Sequence, residues 1–103
     1  MTADRRIARG IAYVEQLQRF NNGNPERTHP EIATYWRTLA DDYSSALEIL
    51  RAAQPLPDAL ERICTVARLQ ICGGSLERRY LWHKIAAAMG LHWPPPGRTK
   101  AAP

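Results

Sequence analysis

The sequence predicts an all-α fold: a small antiparallel bundle of three to four helices, followed by an extended Pro-rich C-terminal tail. Apolar residues recur at intervals of three and four along most of the chain, as they do on one face of an α-helix. Alternation of apolar and polar residues, which is typical of strands, does not extend over a useful length. The breaks between the periodic segments are short and rich in Gly, Pro and Asn, which favours helices joined by short loops.

The first two predicted helices are separated by the turn-forming stretch NNGNP at 21–25. Helix 1, at about residues 4–20, has its apolar face at Ile7, Ile11, Val14 and Leu17. Helix 2 is predicted at about 30–53 and begins at a capping box of the T-x-x-E form, Thr28 to Glu31, with Pro30 in the first turn. The apolar seam of helix 2 consists of Ile32, Trp36, Leu39, Tyr43, Ala46 and Leu50. We expect Trp36 and Leu39 to be buried.

Two further helices follow the break QPLPD. Helix 3 is predicted at about 58–72, with Asp58 as its cap and Ile63 buried. Its main stripe is Leu60, Ile63, Cys64, Ala67 and Ile71. Because Val66 and Leu69 lie off this stripe, helix 3 is either central or presents one side to a partner. Helix 4 is predicted at about 76–89, with Ser75 as N-cap, Leu81 buried and Gly90 as the stop.

Length and composition are those of one folded domain. The chain has 103 residues, 45% of them hydrophobic and 23% charged, which is enough for a single core without disulfides. We expect residues 1–92 to form one helical domain and residues 93–103 to form the extended tail. No apolar run approaches the eighteen or so residues of a membrane span, and the N-terminal residues have no signal-peptide character. We therefore expect a cytoplasmic protein that does not bind membranes.

Residue types used in catalysis and metal binding show no recognisable motif. His29, His83 and His92 lack the spacing of metalloprotease helices, and Gly73-Gly74 lacks the Lys and Ser or Thr of a phosphate loop. Cys64 and Cys72 are eight residues apart on one predicted helix, so about 12 Å separates them, which is too far for a disulfide. We expect both cysteines to be reduced, buried and slow to alkylate. The sequence predicts no enzyme activity, no cofactor and no metal site.

Charge is unevenly distributed along the chain. Residues 1–61 contain seven Arg and nine acidic residues, a net charge of −2, whereas residues 62–103 contain five Arg, two Lys and only one acidic residue, a net charge of +6. This asymmetry indicates a polyanionic or acidic partner for the C-terminal part. Twelve of the fourteen basic residues are Arg, which suits phosphate contacts, although a genome rich in G and C produces the same bias.

Predicted helix 4 has one apolar side and one cationic and aromatic side, which includes Tyr80. Such a face can place guanidinium groups on phosphates and stack a ring on a base. An ordinary solvated helix face with a partly buried tryptophan explains the same pattern. With the basic residues of the tail, the predicted nucleic-acid-binding residues are Arg78, Arg79, Trp82, His83, Lys84, Arg98 and Lys100.

The segment KIAAAMGL at 84–91 resembles the first helix and turn of a helix-turn-helix, with Ile85, Ala86, Gly90 and Leu91 at the matching positions. The resemblance implies DNA binding through a second helix in the major groove. However, three prolines follow at 94–96, and prolines there forbid that recognition helix. Gly90 is explained equally well as the simple C-terminus of helix 4.

The sequence thus predicts a small non-catalytic binding protein, most consistent with a nucleic-acid-associated regulator or accessory protein of a phage or other mobile element. DNA regulators are commonly dimers, so a homodimer fits this prediction. The first alternative is a protein-binding adaptor or inhibitor that uses the surplus apolar surface of helix 3 or the Trp36 and Tyr43 part of helix 2. The second is a helical subunit of a ribonucleoprotein complex.

Overall fold

The computed structural model describes residues 3–24 and 29–91. Within these ranges the chain forms four α-helices and no strand, which confirms the all-α prediction. The helices are α1 (Ala3–Gly23), α2 (Ala33–Ala53), α3 (Ala59–Gly73) and α4 (Leu76–Ala88). The predicted tail at 93–103 lies outside the described residues. No helix in the described ranges combines the length and apolar character needed to cross a membrane.

One hydrophobic core joins all four helices. Val14 of α1, Leu50 of α2, Ile63 of α3 and Ile85 of α4 are all fully or almost fully buried in it. Helix α1 packs against α2 and α4, and α3 packs against α4 and α2. This arrangement makes a bundle in which α2 and α4 have little direct contact with each other.

Glycine brings α1 and α4 close together at one point. A Cβ added to Gly10 would lie 2.8 Å from the Cγ atom of Met89, closer than side-chain atoms normally approach. The missing side chain of Gly10 allows the fully buried Met89 to pack directly on the backbone of α1.

The region between α1 and α2 differs from its prediction. Helix α1 continues to Gly23, three residues beyond the predicted end, and Asn21 is buried although its side-chain amide has no hydrogen-bond partner in the described chain. Tertiary packing thus overrides the turn-forming character of NNG. Helix α2 begins at Ala33, with Ile32 at the N-cap position and no side-chain cap. The capping-box prediction is therefore wrong for Glu31; Thr28 lies outside the described residues.

A turn replaces the predicted first turn of α2. The backbone N–H of Ile32 donates to the carbonyl oxygen of His29 at 3.1 Å. Pro30 is the second residue of this turn, a position that its fixed φ angle favours. The same proline that is tolerated in a first helical turn thus stabilises a separate turn before the helix.

The apolar seam of α2 is buried only in its C-terminal half. Ala46 and Leu50 are buried, as predicted for a seam that faces the core. Trp36 and Leu39 are only half-buried, so the expectation of full burial is wrong for both. For Leu39 the reason is that α4 does not close over this part of α2, which leaves an open cleft that Leu39 lines and that is described below.

Helix α3 buries one stripe and exposes surplus apolar surface on the other side. Ile63, Ala67 and Ile71 are buried, while Leu69 is 65% exposed. Cys72 is exposed and Cys64 is half-buried, so the expectation that both cysteines are buried is wrong. Both are free thiols. Cys72 directly follows Ile71, so its side chain points about 100° around the helix from that of Ile71. Because Ile71 faces the core, Cys72 lies off the buried stripe.

Candidate functional site

Helix α4 is fixed at both ends by its own sequence. At the start, the Ser75 hydroxyl accepts a hydrogen bond from the backbone N–H of Arg78 at 3.3 Å, which confirms Ser75 as the N-cap. At the end, Gly90 has a φ angle of +73°, and the N–H of Leu91 donates to the Ala86 carbonyl at 2.9 Å. This pair of features is the Schellman motif, which ends the helix at this point.

The basic side chains predicted on α4 are all exposed. These are Arg78, Arg79, His83 and Lys84. Together they occupy two turns of helix on the outside of the bundle, where phosphate groups can reach them. Arg98 and Lys100, the two other predicted basic residues, lie outside the described part of the chain.

Trp82 has to be removed from the predicted binding residues. It is 2% exposed and belongs to the core, so its ring cannot stack on a base without unfolding the helix. The sequence contains the signal for its burial, because Trp82, Ile85 and Met89 recur at spacings of three and four. The one exposed aromatic ring on this part of α4 is that of Tyr80, which is 65% exposed.

The four basic side chains do not form a single uniform patch. The Nε atom of Arg78 donates to the Ser75 hydroxyl at 3.3 Å, and Nε of Arg79 donates to the Gly74 carbonyl at 3.0 Å. The ammonium group of Lys84 lies 4.7 Å from the centre of the Tyr80 ring, a cation–π contact. The arginines are thus held near the N-terminus of α4, while Lys84 is held against a ring one turn further on.

An open cleft of about 550 Å³ lies where α1, α2 and the N-terminal half of α4 meet. Ligand-binding clefts in proteins have volumes of about 300–1,000 Å³. The lining residues are Tyr13, Leu17, Tyr35, Leu39, Asp42, Tyr43, Leu76, Glu77, Tyr80, Leu81 and Lys84. The cleft exists because α2 and α4 are held apart by α1 and α3 instead of packing on each other.

Sequence reasoning identified Tyr43 as part of a possible protein interface, but it did not identify the cleft. A signal was present, because each helix contributes residues at a spacing of four. In α2 these are Tyr35, Leu39 and Tyr43, and in α4 they are Leu76, Tyr80 and Lys84. Both stripes are visible in the sequence, and Leu39 and Tyr43 already belong to the predicted seam of helix 2. Only the packing of the helices shows that the α2 and α4 stripes line the same cleft.

Polar groups converge on the α2 wall of the cleft. Burial raises the pKa of Asp42, an effect that Arg78 opposes and Glu77 reinforces. Burial also raises the pKa of Tyr43, and the neighbouring phenol of Tyr35 adds to this effect. The Oδ2 atom of Asp42 is buried and has no hydrogen-bond partner. The cleft therefore combines apolar walls with a carboxyl group that lacks a donor.

Metal binding has no structural basis in the described part of the chain. No group of three or more His, Cys, Asp or Glu side chains lies close enough together there to hold an ion. The described part of the chain thus has exposed basic side chains on α4 beside a cleft lined by aromatic rings, by the carboxyl groups of Asp42 and Glu77 and by Lys84. No known protein family, curated protein or solved structure matches this chain.

Proposed function

We propose that this chain is a non-catalytic binding protein that associates with nucleic acid through the exposed basic residues of α4, as a small regulator or accessory protein. The observation that supports this proposal is the exposure of Arg78, Arg79, His83 and Lys84 within two turns of one helix. Planar guanidinium groups and ammonium groups contact phosphate oxygens and fix a protein on the nucleic-acid backbone. The +6 charge of residues 62–103 favours the same partner.

The burial of Trp82 changes the kind of contact that is proposed. Phosphate contacts do not read sequence, and of the Tyr and Trp rings on α4 it is that of Tyr80 that is exposed. Stacking on a base therefore falls to Tyr80, whose ring also contacts Lys84. Arg98 and Lys100 extend the proposed basic surface on the grounds of sequence alone.

The test is a salt titration of binding to a fluorescent duplex DNA, followed by fluorescence anisotropy. Each neutralised phosphate contributes about −0.9 to the slope of log K against log salt. Arg79→Ala should therefore reduce the magnitude of the slope by about one unit and leave the thermal stability nearly unchanged, because Arg79 is exposed and its hydrogen bond to the Gly74 carbonyl lies at the surface. Arg37→Ala on α2, which is equally exposed but lies in the acidic half of the chain, is the matched control and should leave the slope unchanged.

A second variant tests whether the chain binds single-stranded or duplex nucleic acid. Tyr80→Ala should weaken single-strand binding by about 1–3 kcal/mol if a base stacks on its ring, and should affect duplex binding less. That outcome supports the ribonucleoprotein-subunit alternative. If duplex DNA, single strands and RNA all fail to bind at low salt, the nucleic-acid proposal is wrong.

The second candidate function is a protein-binding adaptor or inhibitor, and the open cleft favours it. Its aromatic walls include Tyr43, which belongs to the part of α2 predicted as a possible protein interface. A specific partner should remain bound in high salt, where contacts to nucleic acid are lost. Retention of one stoichiometric protein on the immobilised chain under those conditions, and its loss on Tyr43→Ala, would distinguish this function from the first.

A further inference from the structure

All four tyrosines of the chain line the cleft between α2 and α4. They are Tyr13, Tyr35, Tyr43 and Tyr80. Tyr80 is 65% exposed and Tyr35 is 49% exposed, so an incoming group can reach both rings. Tyrosine rings combine a large apolar surface with a polar hydroxyl group, and they are enriched at binding interfaces for that reason. The concentration of these rings at one open cleft indicates a surface that binds another group.

The cleft also presents hydrogen-bond donors that the described chain does not use. None of the four tyrosine hydroxyl groups hydrogen-bonds to a described residue, and each can donate one hydrogen bond. The ammonium group of Lys84 lies over the Tyr80 ring and has three N–H donors. The Oδ2 atom of Asp42, by contrast, is too deeply buried for a ligand to reach. The cleft therefore suits a ligand that supplies acceptors.

A run of prolines has the chemistry that this cleft accepts. Proline has a carbonyl acceptor but no N–H donor, and its fixed φ angle favours the polyproline II conformation, which leaves the carbonyl groups free to accept. Because such a run is already extended, little conformational entropy is lost when it docks, and aromatic-lined grooves bind proline-rich segments in this way. A proline run is also uncharged, so the cations Lys84 and Arg78 do not oppose it.

The chain contains such a run within reach of the cleft, because three prolines follow α4 at 94–96. The left-handed Gly90 and the hydrogen bond from Leu91 N–H to the Ala86 carbonyl turn the chain back at the end of α4, and Leu91 packs on the core. Lys84, the cleft residue closest to this end of α4, precedes Leu91 by about 10 Å of helix. The five residues after Leu91 span about 15 Å as polyproline II, so the prolines can reach the cleft.

We propose that residues 93–96 fold back along α4 and dock in the cleft of the same chain, where the proline rings pack on Tyr35 and Tyr80 and the proline carbonyls accept from the tyrosine hydroxyls. Tethering gives a segment on the same chain an effective concentration of about millimolar, so a weak contact is enough for docking. This inference goes beyond both candidate functions. A docked segment covers the α2 wall, so a protein partner that uses the cleft has to displace it.

The test is nuclear magnetic resonance of the full-length chain labelled with carbon-13 and nitrogen-15. Nuclear Overhauser contacts should join the ring protons of Tyr35 and Tyr80 to side-chain protons of the three prolines. Replacing all of them together, by Pro94→Ser, Pro95→Ser and Pro96→Ser, should shift the tyrosine ring resonances and abolish the contacts with residues 93–96. The reason is that serine-rich segments are flexible and lack the preformed polyproline conformation. Thermal denaturation checks that the bundle stays folded.

Matched variants separate the cleft from other exposed surfaces. Tyr80→Ala should also weaken the contacts between the prolines and Tyr35, because the docked segment loses one of its two rings. Leu69→Ala removes a side chain that is equally exposed, at 65%, but lies on α3, and it should leave every contact unchanged. The double variant Arg98→Ser and Lys100→Ser should leave them unchanged as well, because the proposed contacts involve no charge.

Each outcome supports or overturns the proposal. Absence of contacts between the prolines and the cleft tyrosines overturns it, as do tyrosine ring resonances that stay the same after the triple serine substitution. Loss of the contacts in the Arg98→Ser and Lys100→Ser variant would show that charge holds the segment, contrary to the proposal. Contacts between differently labelled chains in a mixed sample would place the segment on a second copy, and docking within one chain would then be wrong.

Discussion

Ile63 shows what a single core residue contributes to this bundle. It is 1% exposed and lies on the buried stripe of α3. Ile63→Ala removes several buried carbon atoms and leaves a cavity, so we expect the free energy of unfolding to fall by about 2–5 kcal/mol. Urea denaturation followed by circular dichroism measures this change.

The matched control is Leu69→Ala on the same helix. Leu69 is 65% exposed, so its truncation should change the free energy of unfolding by less than about 0.5 kcal/mol. If the two variants were equally stable, the packing of α3 described here would be wrong.

Trp82 shows why residue type did not predict exposure. A tryptophan at the border of an apolar stripe is compatible with a binding surface, as predicted for Trp82, and with a core position, which Trp82 occupies. In the bundle α4 is flanked by α1 and α3, and this second neighbour widens its buried face to include Trp82. The spacing of Trp82, Ile85 and Met89 is compatible with burial, but the width of the buried face of a helix is decided by the number of its neighbours, which is a tertiary property.

At the scale of elements, the C-terminus of α4 is determined by one backbone conformation. Gly90 has a φ angle of +73°, and a side chain in that left-handed region costs about 1–2 kcal/mol. Gly90→Ala should therefore destabilise the bundle by about that amount, measured by urea denaturation. Gly73→Ala is the control: Gly73 is helical and a Cβ there would contact nothing within 4 Å, so alanine should stabilise the chain by about 0.4–1 kcal/mol.

Helix ends were predictable where a side chain or a glycine fixes them, and not where packing does. Ser75 and Gly90 were identified from sequence because each acts on the backbone next to it. The Ser75 hydroxyl accepts a hydrogen bond from a backbone N–H, and Gly90 adopts a positive φ angle. Asp58 was correctly placed at the start of α3, but its side chain makes no cap and instead accepts a hydrogen bond from Arg62 Nε at 2.8 Å. That bond is the main cause of the lowered pKa of Asp58.

At the scale of the whole molecule, the class of fold follows from periodicity, whereas the cleft does not. The stripes Tyr35 to Tyr43 and Leu76 to Lys84 belong to α2 and α4, which are separated in sequence by α3. Their convergence depends on the order in which the four helices pack. The basic residues of α4 were found from sequence because exposure of a charged side chain needs no knowledge of its neighbours.

The stability of the whole bundle should depend little on salt. Its core is apolar, and the ion pairs Glu15–Arg51 at 2.7 Å and Asp58–Arg62 at 2.8 Å are both exposed. The first contributes at most about 1 kcal/mol, and the second, which is fully open to solvent, contributes little. Because 1 kcal/mol corresponds to about 4 °C in Tm for a chain of this size, raising salt from about 50 to about 200 mM should shift the Tm by less than that. Over the same range a protein with several phosphate contacts loses most of its nucleic-acid affinity. Calorimetry and anisotropy on one set of samples therefore separate the two effects. A Tm that fell by ten degrees or so would show that electrostatic contacts hold the helices together, contrary to the structure.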